Sequence, residues 1–413
     1  VPRRRLALGL AGCALLALAS TCKVYPDSLL DPRPGDTPIA DGSTGVGFWS
    51  GTGDNGCFSA KSPTEDLRPA ATDASDIEPF FLGIDQLWLG GQRLDGTIDK
   101  DAWRDFGFDL DDKCTASATC DVEHTDSSCK RVTAGQAPDG NNCRDNNFGK
   151  LQNIVSGSSD VGGRLGLNDG TFNCGLCYGR YNILIRISGY NGTANDDDIR
   201  IDLYRSPGVE TELPLTSCDG DPAARLCWWL AASTWTIDRA STVNHQATSG
   251  LPEAEIADPH AFVRDGYLVA RFPEKALIWF PGTYQKNTTF PLQLTRGIVT
   301  ARLARSEDST WRMTDGVIGG RVTGEDVIWG FRRVGLCESD PLYGVAQSAI
   351  KANLDITAAP DAAPDAPCDS ISLGVIFAAR QATVGKLTDG PQLVECPPVG
   401  GAAGAGGSGG SGG

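Results

Sequence analysis

Twelve cysteines spread behind an apolar N-terminal run are what most restrict this chain. They are Cys57, Cys114, Cys120, Cys129, Cys143, Cys174, Cys177, Cys218, Cys227, Cys337, Cys368 and Cys396. In an oxidising compartment such a set is a disulfide framework, and in a reducing one it would be a metal or redox device. The start of the chain decides between them. Arg3 to Arg5 precede the uncharged run Leu6 to Ala19, and Ser20-Thr21-Cys22 follows. A basic segment, an apolar core too short to span a bilayer and small residues before a cut site are the parts of a secretory signal. Residues 1–21 are therefore expected to be a signal peptide.

Ala19-Ser20-Thr21-Cys22 has the form of a lipobox, which makes Cys22 the expected lipidation site. Leu10 to Cys13 fits that pattern too, but cutting there would leave an odd number of thiols. Cutting at Cys22 leaves twelve. Residues 22–41, rich in Pro and Asp, read as a lipidated N-terminus and extended tether. The expected location is the outer membrane or cell surface, with the membrane reached through the lipid.

Spacing cannot assign the twelve cysteines to pairs. The group at 114, 120, 129 and 143 is expected to staple a loop-rich region. Only Cys337, Cys368 and Cys396 lie beyond residue 300, so full pairing requires one of them to reach an earlier segment. Removing the three signal arginines takes the formal charge from −16 to −19. That argues against nucleic acid, which needs basic faces.

The body is rich in strand signals. Tyr181 to Tyr190 and Ile199 to Tyr204 alternate apolar and polar residues around a polar turn, the pattern of a hairpin. Ala261 to Phe272 shows a second, with Arg264-Asp265-Gly266 separating its two strands. Ala276 to Phe280, Phe290 to Leu303, Gly316 to Val322 and Ile371 to Ala378 are further strands. The expected fold is mainly β, an antiparallel β-sandwich (jelly-roll-like or two packed sandwiches), disulfide-rich, with one short helix near residues 341–354. That helix is entered through Ser339-Asp340 with Pro341 in its first turn. Residues 42–245 read as a disulfide-rich β domain and 246–399 as a second β region of the same or another domain. The glycine tail 400–413 is expected to be disordered.

Familiar catalytic motifs fail on context. Gly51 to Gly56 fits GxGxxG, yet Cys57 and Pro63 follow where a helix must open. Cys174-Gly-Leu-Cys177 is a CxxC with an apparent strand after it, so a structural bridge is expected rather than a redox pair. His124, His245 and His260 are the three histidines, and no HExxH occurs. No catalytic residue is assigned. Asp109, Asp111, Asp139, Asn141 and Asp145 form the best oxygen-donor constellation, suited to calcium. The run from Asp139 begins like an EF-hand loop, but Arg144 stands at the glycine position and Lys150 at the bidentate Glu. Trp228, Trp229 and Trp235 are candidates for a sugar-stacking face.

The start Cys22 to Leu30, with Gly107 to Cys114, Asp139 to Gly149, Gly179 to Gly192 and Gly316 to Arg321, resembles uncharacterised secreted lipoproteins of the myxobacterial type. The resemblance covers about a third of the chain. It implies lipid anchoring and carries over no catalytic residue. The expected function is a non-catalytic binding or structural module at the cell surface, with a polysaccharide or an envelope protein as partner. The alternative is a secreted hydrolase acting on glycans or peptides.

Overall fold

The structure is a computed structural model. It describes residues 47, 49–52, 56–71, 74–116, 127–133, 137–156, 168–211, 233–245, 253–281, 289–363, 365–391 and 393–397. The signal, tether, lipidation and glycine-tail expectations, including Cys22, lie outside the described residues, as do Cys120, Cys218, Cys227, Trp228 and Trp229.

The strands in chain order are β1 (Gly51–Thr52), β2 (Phe58–Ser59), β3 (Phe80–Trp88), β4 (Asn182–Ser188), β5 (Asp196–Ser206), β6 (Thr234–Asp238), β7 (Ile256–Arg264), β8 (Tyr267–Arg271), β9 (Ala276–Pro281), β10 (Thr289–Arg305), β11 (Trp311–Thr323) and β12 (Ser370–Thr388). The helices are α1 (Asn147–Ser156), α2 (Asp169–Cys177), α3 (Gly324–Arg333) and α4 (Pro341–Ala352).

The expected sandwich is wrong. The main sheet runs β11-β10-β8-β7-β5-β4-β3-β12, and β12 pairs back onto β11. Eight antiparallel strands thus close into a barrel, and closure leaves no free edge in the ring. Strands from both sides of residue 245 share this one sheet. Strand β12 forms the seam. Its first part pairs with β11 from Thr323↔Ser370 to Arg312↔Arg380, its middle with β3 from Trp88↔Ile376 to Phe81↔Ala382, and its end runs parallel to β6.

Local chemistry explains much of this. The β7–β8 hairpin turns on Asp265 (φ 52°) and Gly266 (φ 80°), two left-handed residues that match the twist of the flanking strands. Arg296 (φ 51°) and Asp315 (φ 51°) mark register shifts in β10 and β11. Such bulges bend a long strand, as closing a barrel requires. With its first half β10 holds β9, and with its second half β8 and β11.

The lumen is packed solid. Alternate residues Ile371, Leu373, Val375, Phe377 and Ala379 of β12 join Leu82 and Ile84 of β3, Ile185 and Ile187 of β4, Ile201, Val263, Ala270, Ala301 and Met313 in one buried cluster. Eight strands enclose about the space that side chains can fill. The intervening residues of β4 and β5 include Arg186, Arg200 and Asp202, with Arg200 forked onto the Asp202 carboxylate at 2.8–3.1 Å. An apolar lumen differs from the polar interior of a membrane-spanning barrel. Among the described residues, no helix is long and apolar enough to cross a membrane.

At one end of β3, Phe80 stacks on Trp311, with Tyr190 edge-on to the same indole. At its other end the helices pack against the barrel. Phe148 of α1 meets Phe280, and Phe331 of α3 meets Phe290. The expected helix 341–354 is present as α4, capped by the Asp340 side chain on the Leu342 amide. The other three were not expected. Helix α3 is capped by Thr323 on the Asp326 amide, but it begins on Gly324 and contains Gly330, which lowers its propensity. Gly330 is there because a Cβ would lie 2.4 Å from the Pro291 carbonyl oxygen of β10.

A different contact pins a long overlay to the barrel's outer wall. Residues 102–108 lie over β10, β11 and β12, where Phe106 and Phe108 pack on Ile298, Val317 and Ile376. The close point is Gly107 against Gly374, where a Cβ on Gly374 would lie 2.6 Å from the Gly107 Cα. Gly374→Ala is expected to lower stability by about 1–3 kcal/mol, the cost of overpacking. Gly344→Ala, on α4 with nothing within 4 Å of the added methyl, is expected to raise it by about 0.5–1 kcal/mol. Urea unfolding of the two variants and the parent measures both signs.

Candidate functional site

The overlay carries the acidic constellation. Its backbone is woven into its neighbours: the Asp109 amide bonds the Ala60 carbonyl at 2.9 Å, the Asp145 amide bonds the Phe108 carbonyl at 2.8 Å, and the Ala60 amide bonds the Asn142 carbonyl at 2.9 Å. Asn146 ties this weave to the seam, its Oδ1 accepting from the Gly374 amide at 2.9 Å. Two turns use left-handed non-glycine residues, at Asp112 and at Asn142-Cys143. Cys114–Cys143 closes the loop between them, and Cys57 packs against that bridge.

Asp109, Asp111 and Asp145 converge, each offering one carboxylate oxygen within 4.8 Å of the others. Asp109 and Asp145 are buried and Asp111 is partly exposed. The Ser59 hydroxyl donates to Asp109 Oδ2 at 2.5 Å, the Leu110 amide to Asp145 Oδ2 at 2.7 Å, and the Lys113 amide to Asp111 Oδ1 at 2.9 Å. Asp139 is buried beside them, with Oδ2 accepting from the Thr115 amide at 2.6 Å. Asn141 turns away, its Nδ2 donating to Asp105 Oδ1 at 2.6 Å. Of the five residues marked in the sequence, three therefore meet, Asp139 stands in their field, and Asn141 is directed elsewhere.

A sixth residue had no signal in the sequence. Asp355 follows α4, more than two hundred positions from the others, and is buried where Ser372 of β12 donates to it through both its amide (2.9 Å) and its hydroxyl (2.5 Å). Its charge acts on Asp139 and Asp145.

Burial dominates the electrostatics. Loss of hydration pushes the Asp109 carboxyl up to about 7, with Asp111 and Asp112 adding repulsion. Asp355 is raised to about 7 by the same loss. Asp139 and Asp145 are held well above the ordinary carboxylate range, by burial first and then by the charge of Asp111. Arg321 opposes the shift at Asp111, and Arg131 opposes it at Asp355. Arg321 spends Nη2 on the Leu110 carbonyl, and Arg131 bonds the Ala352 and Leu354 carbonyls. Chemically, the arrangement presents several hard oxygens to one point, with protons or a cation as the charge that would neutralise them.

The other candidates resolve differently. Trp235 is fully buried with Tyr204, Leu184 and Ile237, so it offers no face to a sugar. Cys174 and Cys177 lie at the end of helix α2, the expected strand follows as β4 from Asn182, and both are disulfide-bonded. So is Cys57. Cys129 joins Cys368 across 239 positions and Cys337 joins Cys396 across 59, so all nine described cysteines are bonded. The late cysteines divide as counting demanded, since Cys368 reaches the early segment.

The fold and site thus define a class: an eight-stranded, core-filled antiparallel barrel, overlaid by a disulfide-bonded loop with a buried acid cluster. No protein-family profile, curated protein or solved structure matches the chain.

In chelator, the raised carboxyls fix the sign of the pH dependence. Folded Asp355 keeps its proton to about pH 7, whereas an unfolded Asp loses it near pH 4. The folded state binds more protons at this group across that window, so the stability it contributes is greatest below pH 4, falls as pH rises to about 7 and is then level. Each such group contributes at most about 1.4 kcal/mol per pH unit. Asp355→Asn is expected to make the slope shallower, read from urea midpoints between pH 4 and pH 8.

Proposed function

We propose that this chain is an exported module, tethered to a membrane through lipid on Cys22, that binds or braces a partner at the cell surface without catalysis. The observation that carries the reading is how the polar chemistry is used. The lumen is filled with apolar side chains, and the buried carboxylates of the acid cluster are closed in and hold backbone amides: Asp145 that of Leu110, Asp139 that of Thr115, and Asp355 that of Ser372. The disulfides support an oxidising compartment, and the acidic balance suits a protein kept apart from anionic surfaces. The partner in this reading is a polysaccharide or an envelope protein, and the lipobox form of Ala19-Ser20-Thr21-Cys22 supports the anchor.

One observation favours the hydrolase reading. A carboxyl held near pH 7, as at Asp109 and Asp355, has the affinity of a glycosidase's proton donor. The two readings separate in one experiment. The chain from Lys23 onwards, prepared without lipid, is mixed with insoluble polysaccharides and with envelope material, and the supernatant is assayed for released sugars and peptides. Retention without release is the expected outcome. Release that disappears in Asp109→Asn would replace this reading by the hydrolase.

A further inference from the structure

Among the described residues the acid cluster gathers five carboxyls, opposed through space by Arg321 and Arg131. Asp109, Asp111 and Asp145 converge, and the charges of Asp111 and Asp355 act on Asp139 and Asp145 beside them. Burying several carboxylates together disfavours their charged forms unless a positive charge enters.

A second observation is independent of the count of charges. Asp109 is 5% exposed. Its Oδ2 takes the Ser59 hydroxyl and the Asp112 amide acts on the carboxyl, but its Oδ1 is buried with no partner in hydrogen-bond geometry. Buried acceptors are almost always satisfied, and an unmatched one points to a ligand, ion or water. This oxygen belongs to the residue that converges with Asp111 and Asp145.

We propose that Asp109, Asp111 and Asp145 bind one divalent cation, calcium by preference, using Asp109 Oδ1 and one carboxylate oxygen from each of the other two. Three oxygens within 4.8 Å of one another can all touch an ion whose ligands lie at about 2.3–2.6 Å. The donors are hard oxygens only. No imidazole is among them, and the thiols of nearby Cys57, Cys114 and Cys143 are consumed in disulfides, so a zinc- or copper-type donor set is lacking. Magnesium is the weaker candidate because it demands a near-ideal octahedron and gives up water reluctantly, whereas calcium accepts irregular loops. Asp139 and Asp355 add negative field without being needed as ligands. Asn141 takes no part. The bound ion would draw the 109–111 segment and Asp145 together against β11, tightening the overlay on the barrel wall.

The test uses the full chain, stripped with chelator and desalted, with calcium chloride followed by calorimetry and by thermal unfolding, and magnesium chloride run in parallel. The expected result is one saturable calcium site with a Kd at or below about 1 mM, the range of extracellular calcium modules. The unfolding temperature rises with calcium as a ligand of the folded state requires, and magnesium gives a smaller rise. Asp109→Asn and Asp111→Asn are each expected to weaken calcium by about tenfold or more, while exposed Asp361→Asn leaves it unchanged. Asp111 is partly exposed, so Asp111→Asn carries the comparison if Asp109→Asn does not fold. Absence of saturable binding and of any thermal shift up to about 10 mM calcium, far above that range, would overturn the proposal. So would an undiminished response in Asp111→Asn, which would assign the calcium to diffuse surface acids.

Discussion

The ladder between β11 and β12 is the contact on which the other layers depend. Ten register pairs, from Thr323↔Ser370 to Arg312↔Arg380, turn an open sheet into a ring. Without them β11 and β12 would be edges, and the large apolar surface that alternate residues of both strands turn inward would lack a far wall. Closure also creates the platform for everything outside it. The outward residues Val317 and Ile376 belong to these two strands, and it is on them that Phe106 and Phe108 rest. Ser372, which holds Asp355 and caps the Asn147 amide, lies on β12 as well. The acid cluster is therefore built against a wall that exists only when the ring is shut.

Much of the sheet was legible because local pattern and turn chemistry act over a few residues. The hairpin at Asp265-Gly266, the strands around Tyr181 to Tyr204 and the helix from Pro341 all follow from alternation, left-handed turn residues and an Asp cap. What separates a barrel from a sandwich is which distant strands are neighbours, and no local pattern encodes that. Strand β3 was missed for a related reason. Its sequence, FFLGIDQLW, carries apolar residues on both faces, because Leu82 and Ile84 fill the lumen while Phe81 and Trp88 pack outside it. Alternation is erased when both sides of a strand are covered. Helices α2 and α3 hide behind glycines and cysteines that packing, not propensity, requires.

The site shows the same division. Asp109, Asp111 and Asp145 could be grouped from composition because they lie in two short acid-rich runs. Asp355 could not, since it reaches the cluster through the β12 seam. Asn141 was drawn in by its spacing from Asp139, a pattern that presumes an EF-hand loop. The backbone instead turns left-handed at Asn142 and Cys143, and the Asn141 amide is spent on Asp105. Trp235 illustrates the opposite error, an aromatic beside a cysteine-rich stretch that is in fact the centre of a small core.

The place of β12 in the chain sets a timetable for folding. Strand β3 is made early and β12 late, yet they are neighbours, and Cys129 must wait for Cys368. At about 5–20 residues per second of synthesis, that interval is on the order of tens of seconds. Throughout it, β3 has one unpaired edge and Cys129 a reactive thiol. A chain of this topology threaded through a membrane in order from its N-terminus would emerge sticky, and its safe passage would depend on a holding factor on the far side until the seam arrives.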